Sequence, residues 1–271
     1  MLINFGMLAE MNPLEHVVPH VLFRFHLLGR EIAFTNHMLM AGVAAALMMI
    51  FFPLVARGKG MVPRGMRNFI EAICVFLREE VARPSLGHNT DKYIKYIWTT
   101  FFFILFCNLL GMVPTGGILF LATGGSKGIL AQLGGTATAN IWVTGTLALI
   151  AFFVVHISGM IEQGPWLYIK NFIPHVPAPL IPVMYLLELI GALVKPFALA
   201  VRLFANMLAG HTVLASLLGL IFMAHNWAIG ITTIIGCVAL SLLELFVAFL
   251  QAYIFTYLTT MFIAGAVHPE H

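Results

Sequence analysis

Apolar residues run along this chain in long stretches, and the polar positions that interrupt them are few enough to read one by one. Residues 37–55 are long enough to span a bilayer core of about 30 Å at about 1.5 Å per residue. Two further spans are expected over about 96–113, closed by Pro114, and about 140–157. Residues 64–83 follow a different pattern. There Phe69, Ile73, Phe76, Leu77 and Val81 recur at helical spacing, while Arg67, Glu71, Arg78 and Glu79 take the other positions. A helix so charged is expected to lie along the inner interface rather than cross, an exposed loop helix being the alternative. Residues 115–139, rich in Gly and Thr, read as loop with one or two short apolar contacts. Pro174, Pro177, Pro179 and Pro182 then mark a boundary, since proline suits helix starts and not interiors. Beyond it two apolar segments, about 180–222 and 228–264, each exceed the roughly 20 residues needed to span. They could be steeply tilted, broken, or packed flat against a partner.

The pattern predicts an all-α membrane protein with about five membrane-embedded helices, one interfacial amphipathic helix and a long tilted C-terminal helical hairpin. The expected organisation is an outer segment over 1–35, a membrane domain over 36–265, and an inner tail over 266–271. Within the membrane domain the interfacial helix covers about 64–83 and the hairpin about 180–264. Arg57, Lys59, Arg64 and Arg67 precede the first acid, Glu71, and place their loop on the inner side by the positive-inside rule. The N-terminus is then outside and, after five crossings, the C-terminus inside.

Composition removes the soluble alternatives. Of 271 residues 61% are hydrophobic and 9% charged, far below the quarter or so charged in soluble domains. Mean hydropathy is +0.97. The net charge of +3 says little, but its placement matters, because after residue 140 the only bases are Lys170, Lys195 and Arg202 and the only acids Glu162, Glu188, Glu244 and Glu270. Each is thereby a candidate site. Cys74, Cys107 and Cys237 lack metal-ligand or redox spacing and read as small buried hydrophobes. The first residues show no basic region followed by an apolar run, so a cleaved signal peptide is not expected. Signatures for a metalloprotease (HExxH), a nucleotide-binding P-loop and a serine hydrolase (GxSxG) are absent from the sequence.

Arg202 is the costliest residue, since an arginine at mid-bilayer costs roughly 2.5–3.5 kcal/mol on insertion scales and more in simulations. With apolar-rich sequence on both sides it needs a carboxylate, water or an adjacent subunit, or it locks two helices together. Glu188, Lys195 and Arg202 are spaced by seven and Asn206 follows Arg202 by four, so helical geometry puts all of them on one face. His211, nine residues beyond Arg202, must look elsewhere. In the last segment Glu244 and Gln251 are again seven apart, and Ser241, Cys237 and Thr233 extend their face. A carboxyl group isolated in lipid takes up a proton and exchanges it wherever water reaches it. Glu244 suits that role, or that of a salt-bridge partner for Arg202 or His211. The imidazole of His211 suits a proton relay. His156 reads as a packing residue, and the pair His16/His20 is weak evidence for a metal. A bis-histidine haem site would need facing histidines, and His211 with His225 does not supply them.

These residues resemble a known family, subunit a of F-type ATP synthases. The resemblance rests on Lys195-Pro196, on Arg202-Leu203-Phe204-Ala205-Asn206-Met207 with Ala209-Gly210, and on Leu250-Gln251-Ala252-Tyr253-Ile254-Phe255. Asn108-Leu109-Leu110-Gly111 with Pro114 and Ile181-Pro182-Val183 add weaker matches, so that about residues 35–265 are covered in consistent order. The resemblance implies that Arg202 is the essential arginine facing a rotating ring of c subunits, where it separates two aqueous half-channels and draws a ring carboxylate into its ionised form. It implies too that Asn206, Gln251, Glu244 and His211 line the polar route. Protons would enter from outside near Glu244 and His211, assisted by Ser241, and leave inward past Glu188 and Lys195. The histidine and glutamate exchange the helices they occupy in some members. Asn140, in Ala139-Asn140-Ile141-Trp142, stands where members often carry an aspartate, and Asn36-His37 replaces an acid near the start of the first span.

The partners implied are the c-subunit ring, peripheral-stalk b-type subunits and the lipid bilayer, with no nucleic acid. No cofactor or metal is expected, and the chain is not expected to be an enzyme. The implied location is an energy-transducing inner membrane, a bacterial plasma membrane being the first choice and an organellar inner membrane the alternative. The rival reading, a self-contained proton-coupled transporter, predicts an internal repeat with paired broken helices, and the sequence shows none.

Overall fold

The structure, a computed structural model, describes residues 21–27, 30–57, 64–113, 136–171, 180–223 and 227–267. Of the loop expected over 115–139 all but the last four residues lie outside these, and those four end in a 3-10 turn over Ala137–Ala139; the prolines Pro174, Pro177 and Pro179, the stretch around His225, the tail after Val267 and the pair His16/His20 lie outside as well. Helix α1 (Asn36–Ala56) follows two short antiparallel strands, β1 (Val21–Leu27) and β2 (Arg30–Thr35). Next come α2 (Met66–Phe76), a π-helical turn over Leu77–Ala82, the short α3 (Arg83–Leu86) and a 3-10 turn over Gly87–Asn89. They lead into α4 (Thr90–Met112). Then follow α5 (Ile141–Gln163), α6 (Pro165–Asn171), α7 (Ile181–Met223) and α8 (Trp227–Val267). Among the described residues five helical stretches are long and apolar enough to cross a membrane, as the hydropathy pattern predicts. The protein is a multi-pass membrane protein of helical architecture.

The strand pair is an addition to the expected elements. It joins Phe23 to Phe34 in a stacked pair 4.7 Å apart and Arg24 to Glu31 across the ribbon at 3.4 Å. The charged segment after residue 64 is also more broken than one helix over 64–83. Its regular part ends at Phe76, and the π turn that follows holds Arg78 2.6 Å from Asp91 and Glu79 against Arg83. Helix α4 starts at Thr90, earlier than the apolar pattern, and α5 runs past residue 157 to Gln163. Paired ends explain both extensions. Lys92 in α4 bonds Glu162 in α5, and the Tyr93 hydroxyl donates to the same carboxylate at 3.2 Å. Gln163 Nε2 donates to the Ala266 carbonyl at 2.7 Å, and Asn171 Nδ2 to Gln163 Oε1 at 3.1 Å.

Helices α7 and α8 have 43 and 41 residues, and each runs unbroken. At about 1.5 Å per residue each is on the order of 60 Å long, about twice a hydrocarbon core. Pro196 sits inside α7 without ending it. Of the three cysteines Cys107 is buried, whereas Cys74 and Cys237 are only half-buried.

Two compact units divide the chain, and the longest helices contribute residues to both. The first takes the start of α1, the end of α4, the segment before α5, and α7 from Arg202 and α8 up to Leu250. In it Ala139, Met207 and Ala248 form a core with Met112 against it. The second unit packs Tyr93, Ile94 and Ile97 of α4 with Leu86, Ile263, Ala264 and Val267.

Candidate functional site

On α7 the inward positions are Leu199, Ala200, Leu203 and Met207, all buried at helical spacing. Arg202 falls outside that stripe and is exposed, with Asn206 half-buried one turn on. Among the described residues Arg202 has no ion-pair partner. The alternative in which it locks two helices of its own chain therefore finds no carboxylate to lock against. Its neighbours on the expected face behave differently. Lys195 Nζ lies 3.8 Å from Glu188 Oε1, as a spacing of seven allows, and 5.5 Å from the centroid of the Phe262 ring.

The polar face of α8 turns inward. Thr233, Glu244 and Gln251 are buried, with Cys237 and Ser241 half-buried beside them. The Ser241 hydroxyl donates to its own helix at Cys237 O, 2.9 Å away. Burying a polar group without a partner costs free energy, so the exceptions are informative. Gln251 Nε2 and Glu244 Oε1 are both buried without a hydrogen bond. Glu244 Oε1 instead stands 3.8 Å from His211 Nδ1, beyond hydrogen-bond range but within reach of an ion pair or a bridging water. So His211 does turn away from Arg202, and of the two partners considered for Glu244 the structure provides His211. A Cβ on Gly210 would sit 2.8 Å from Glu244 Oε1, so this glycine makes the space the carboxyl group occupies.

Residues from three further segments complete this cluster, and helical periodicity alone did not single them out. His37, fully buried in the first turn of α1, donates from Nδ1 to the Thr136 carbonyl at 2.8 Å. The Thr136 hydroxyl in turn shares a hydrogen bond with His211 Nε2. Asn108 of α4 donates from Nδ2 to the Ala248 carbonyl at 3.2 Å and accepts from the Thr138 hydroxyl at 2.9 Å. Asn140 accepts from the Trp142 amide at 2.9 Å, a local turn bond. A Cβ on Gly111 would collide with the Thr136 side chain. Gly111→Val is therefore expected to destabilise the protein by about 2 kcal/mol, as overpacking does. The check is a lowered midpoint of heat inactivation in the detergent-solubilised complex.

In the second unit His156 Nδ1 and the Tyr168 hydroxyl are 2.6 Å apart, and Phe152 packs edge-on to the imidazole, which suits the packing role expected of it. Burial, and then the nearby Glu188 carboxylate, push the Tyr168 phenol up. Among the described residues no three His, Cys, Asp or Glu side chains converge as metal ligands do.

The model of the family described as ATP synthase A chain matches residues 38–264. The ATP synthase subunit a of Chloroherpeton thalassium is 40% identical over 253 residues, 90% of this chain and 69% of that relative. The subunit a of Anaeromyxobacter dehalogenans is 41% identical over 239 residues, 86% of this chain and 58% of the relative. That of Pelodictyon phaeoclathratiforme is 38% identical over 257 residues, 90% and 69% respectively. The chain thus spans 58% to 69% of the length of these relatives, less than two thirds in the Anaeromyxobacter case.

Proposed function

Because this chain belongs to the ATP synthase A chain family, we propose that it is the non-catalytic proton-translocating subunit of an F-type ATP synthase membrane sector. Its work is to couple proton flow to rotation of a ring of c subunits. The observation that carries this reading is Arg202, an exposed cation on an apolar helix that pairs with no acid among the described residues. Such a charge is stable in a membrane only against water or a carboxylate supplied by another subunit. A ring carboxylate passing it is drawn into its ionised form by the positive charge, since Coulomb attraction is strong where water is scarce. The same charge repels a proton moving directly from one aqueous side to the other.

Two polar groups, one of His211 on α7 with Glu244 on α8 and one nearer the start of α7, then serve as the approach and the exit. His211 and Glu244 line the outer route, and Asn206, Ser241 and Gln251 belong to the polar path. Glu188 and Lys195 line the inner one. A proton crossing a potential of 100 mV delivers about 2.3 kcal/mol, which is the energy each step of the ring receives. Peripheral-stalk subunits of b type and the lipid bilayer are the other partners, and the bacterial plasma membrane is the location.

Cross-linking tests the partner. A cysteine introduced by Asn206→Cys, one turn from Arg202, is expected to form a disulfide with cysteines placed on the outer helix of c subunits in assembled complex. Absence of any such product, with a surface position on β1 as the negative control, overturns the c-ring reading.

A further inference from the structure

Thr136 belongs to no long helix, yet two segments distant in sequence, the start of α1 and the second half of α7, bond to it. We infer that Thr136 is the positioning residue of the His211–Glu244 pair, its hydroxyl fixing the imidazole so that Nδ1 faces the carboxyl group. The inference rests on the translocation reading above and names a residue which that reading does not use.

The chemistry follows from the imidazole. A neutral ring has one nitrogen that donates and one that accepts. When Nδ1–H points to the Glu244 carboxylate, Nε2 is the acceptor and the Thr136 hydroxyl donates to it. When the ring is doubly protonated, Nε2–H donates and the same hydroxyl, after rotation, accepts. A hydroxyl is thus able to hold the ring in both protonation states without moving the backbone, which a lone donor or a lone acceptor does not do. The ring turns about two side-chain bonds in the absence of such a contact, and Nδ1 then need not face Glu244 at all.

Thr136 is itself held firmly enough to act this way. The residue is 2% exposed. Its carbonyl accepts from the fully buried His37, and the glycine at 111 lets it sit against α4. A carbonyl takes no part in proton exchange, so the His37 bond tethers Thr136 rather than extending a relay. Among the described residues the titratable groups seen at His211 are Glu244 from α8 and, behind Thr136, His37 from α1. The end of α4, residues 105–112, offers Cys107 and the amide of Asn108 but no charge, and the nearest charge on α7 is Arg202, nine residues back.

The test uses the assembled ATP synthase in inverted vesicles, with pumping normalised to the assembled complex. Thr136→Val keeps the shape and removes the hydroxyl; Thr136→Ser keeps the hydroxyl. The Val variant is expected to pump about fivefold more slowly, the factor one net hydrogen bond carries, and with a displaced pH profile. The Ser variant is expected to restore both. If Val does not assemble, Thr136→Ala, which adds no bulk, takes its place. Val or Ala matching Ser in rate, or slowing without any change in pH profile, overturns the positioning role. Those outcomes leave the translocation reading intact, which stands or falls with the cross-linking test above and with the pumping of an Arg202 variant.

Discussion

Arg202→Ala is expected to reduce ATP-driven proton pumping in inverted vesicles to background while the complex still assembles. Both halves of this result come from the same geometry. The guanidinium is exposed and pairs with no acid among the described residues, so its loss leaves no buried charge stranded inside the chain. The buried stripe of α7, Leu199, Leu203 and Met207, is untouched. Assembly should persist for that reason, and removing an unpaired charge from lipid even relieves the cost of inserting it. Pumping should fail because nothing else on this stretch of α7 carries a positive charge to ionise a passing carboxyl group. Immunoblotting of vesicles with fluorescence quenching of an acidity-sensitive dye reads both quantities. Pumping at the wild-type rate would sink the proposed mechanism.

The second large effect is at Glu244. Replacing it by Gln preserves size and leaves the Gly210 cleft filled, so packing in the first unit should change little. The amide cannot release and rebind a proton. Pumping is expected to slow by about a hundredfold, the lower end of what positioned proton-transfer groups contribute. The amide also offers an N–H where the carboxylate only accepted, so the relation to His211 Nδ1, at 3.8 Å, is altered as well. An unchanged rate and pH profile would remove Glu244 from the proton path.

Much of this molecule is legible from spacing alone. Long apolar runs fix the number of membrane helices, because in lipid a helix must satisfy its own backbone. A spacing of seven puts Glu188 beside Lys195, and nine turns His211 away from Arg202, since both follow from 100° per residue within one rigid helix. The excessive lengths of α7 and α8 were equally plain, though not that each would run unbroken through Pro196 or its polar face.

What spacing does not carry is which helix face meets which. In a membrane the apolar faces are nearly alike, and hydrophobicity does not choose among them; close packing at small residues and scattered polar contacts do. The link from His37 to Thr136 crosses 99 residues and that from Thr136 to His211 crosses 75, and neither has a periodicity to betray it. Gly111 and Gly210 look like any helical glycine until Thr136 and Glu244 are set against them. Helix ends go beyond the apolar runs for a related reason: the runs stop short of Lys92, Glu162 and Gln163, and tertiary partners let the helices continue through them. By itself the sequence determined the helices, their faces and the exposed charge at Arg202. Only the tertiary structure decided that His211 faces Glu244 with a threonine held from α1 behind its ring, because that arrangement depends on packing between segments far apart in the chain.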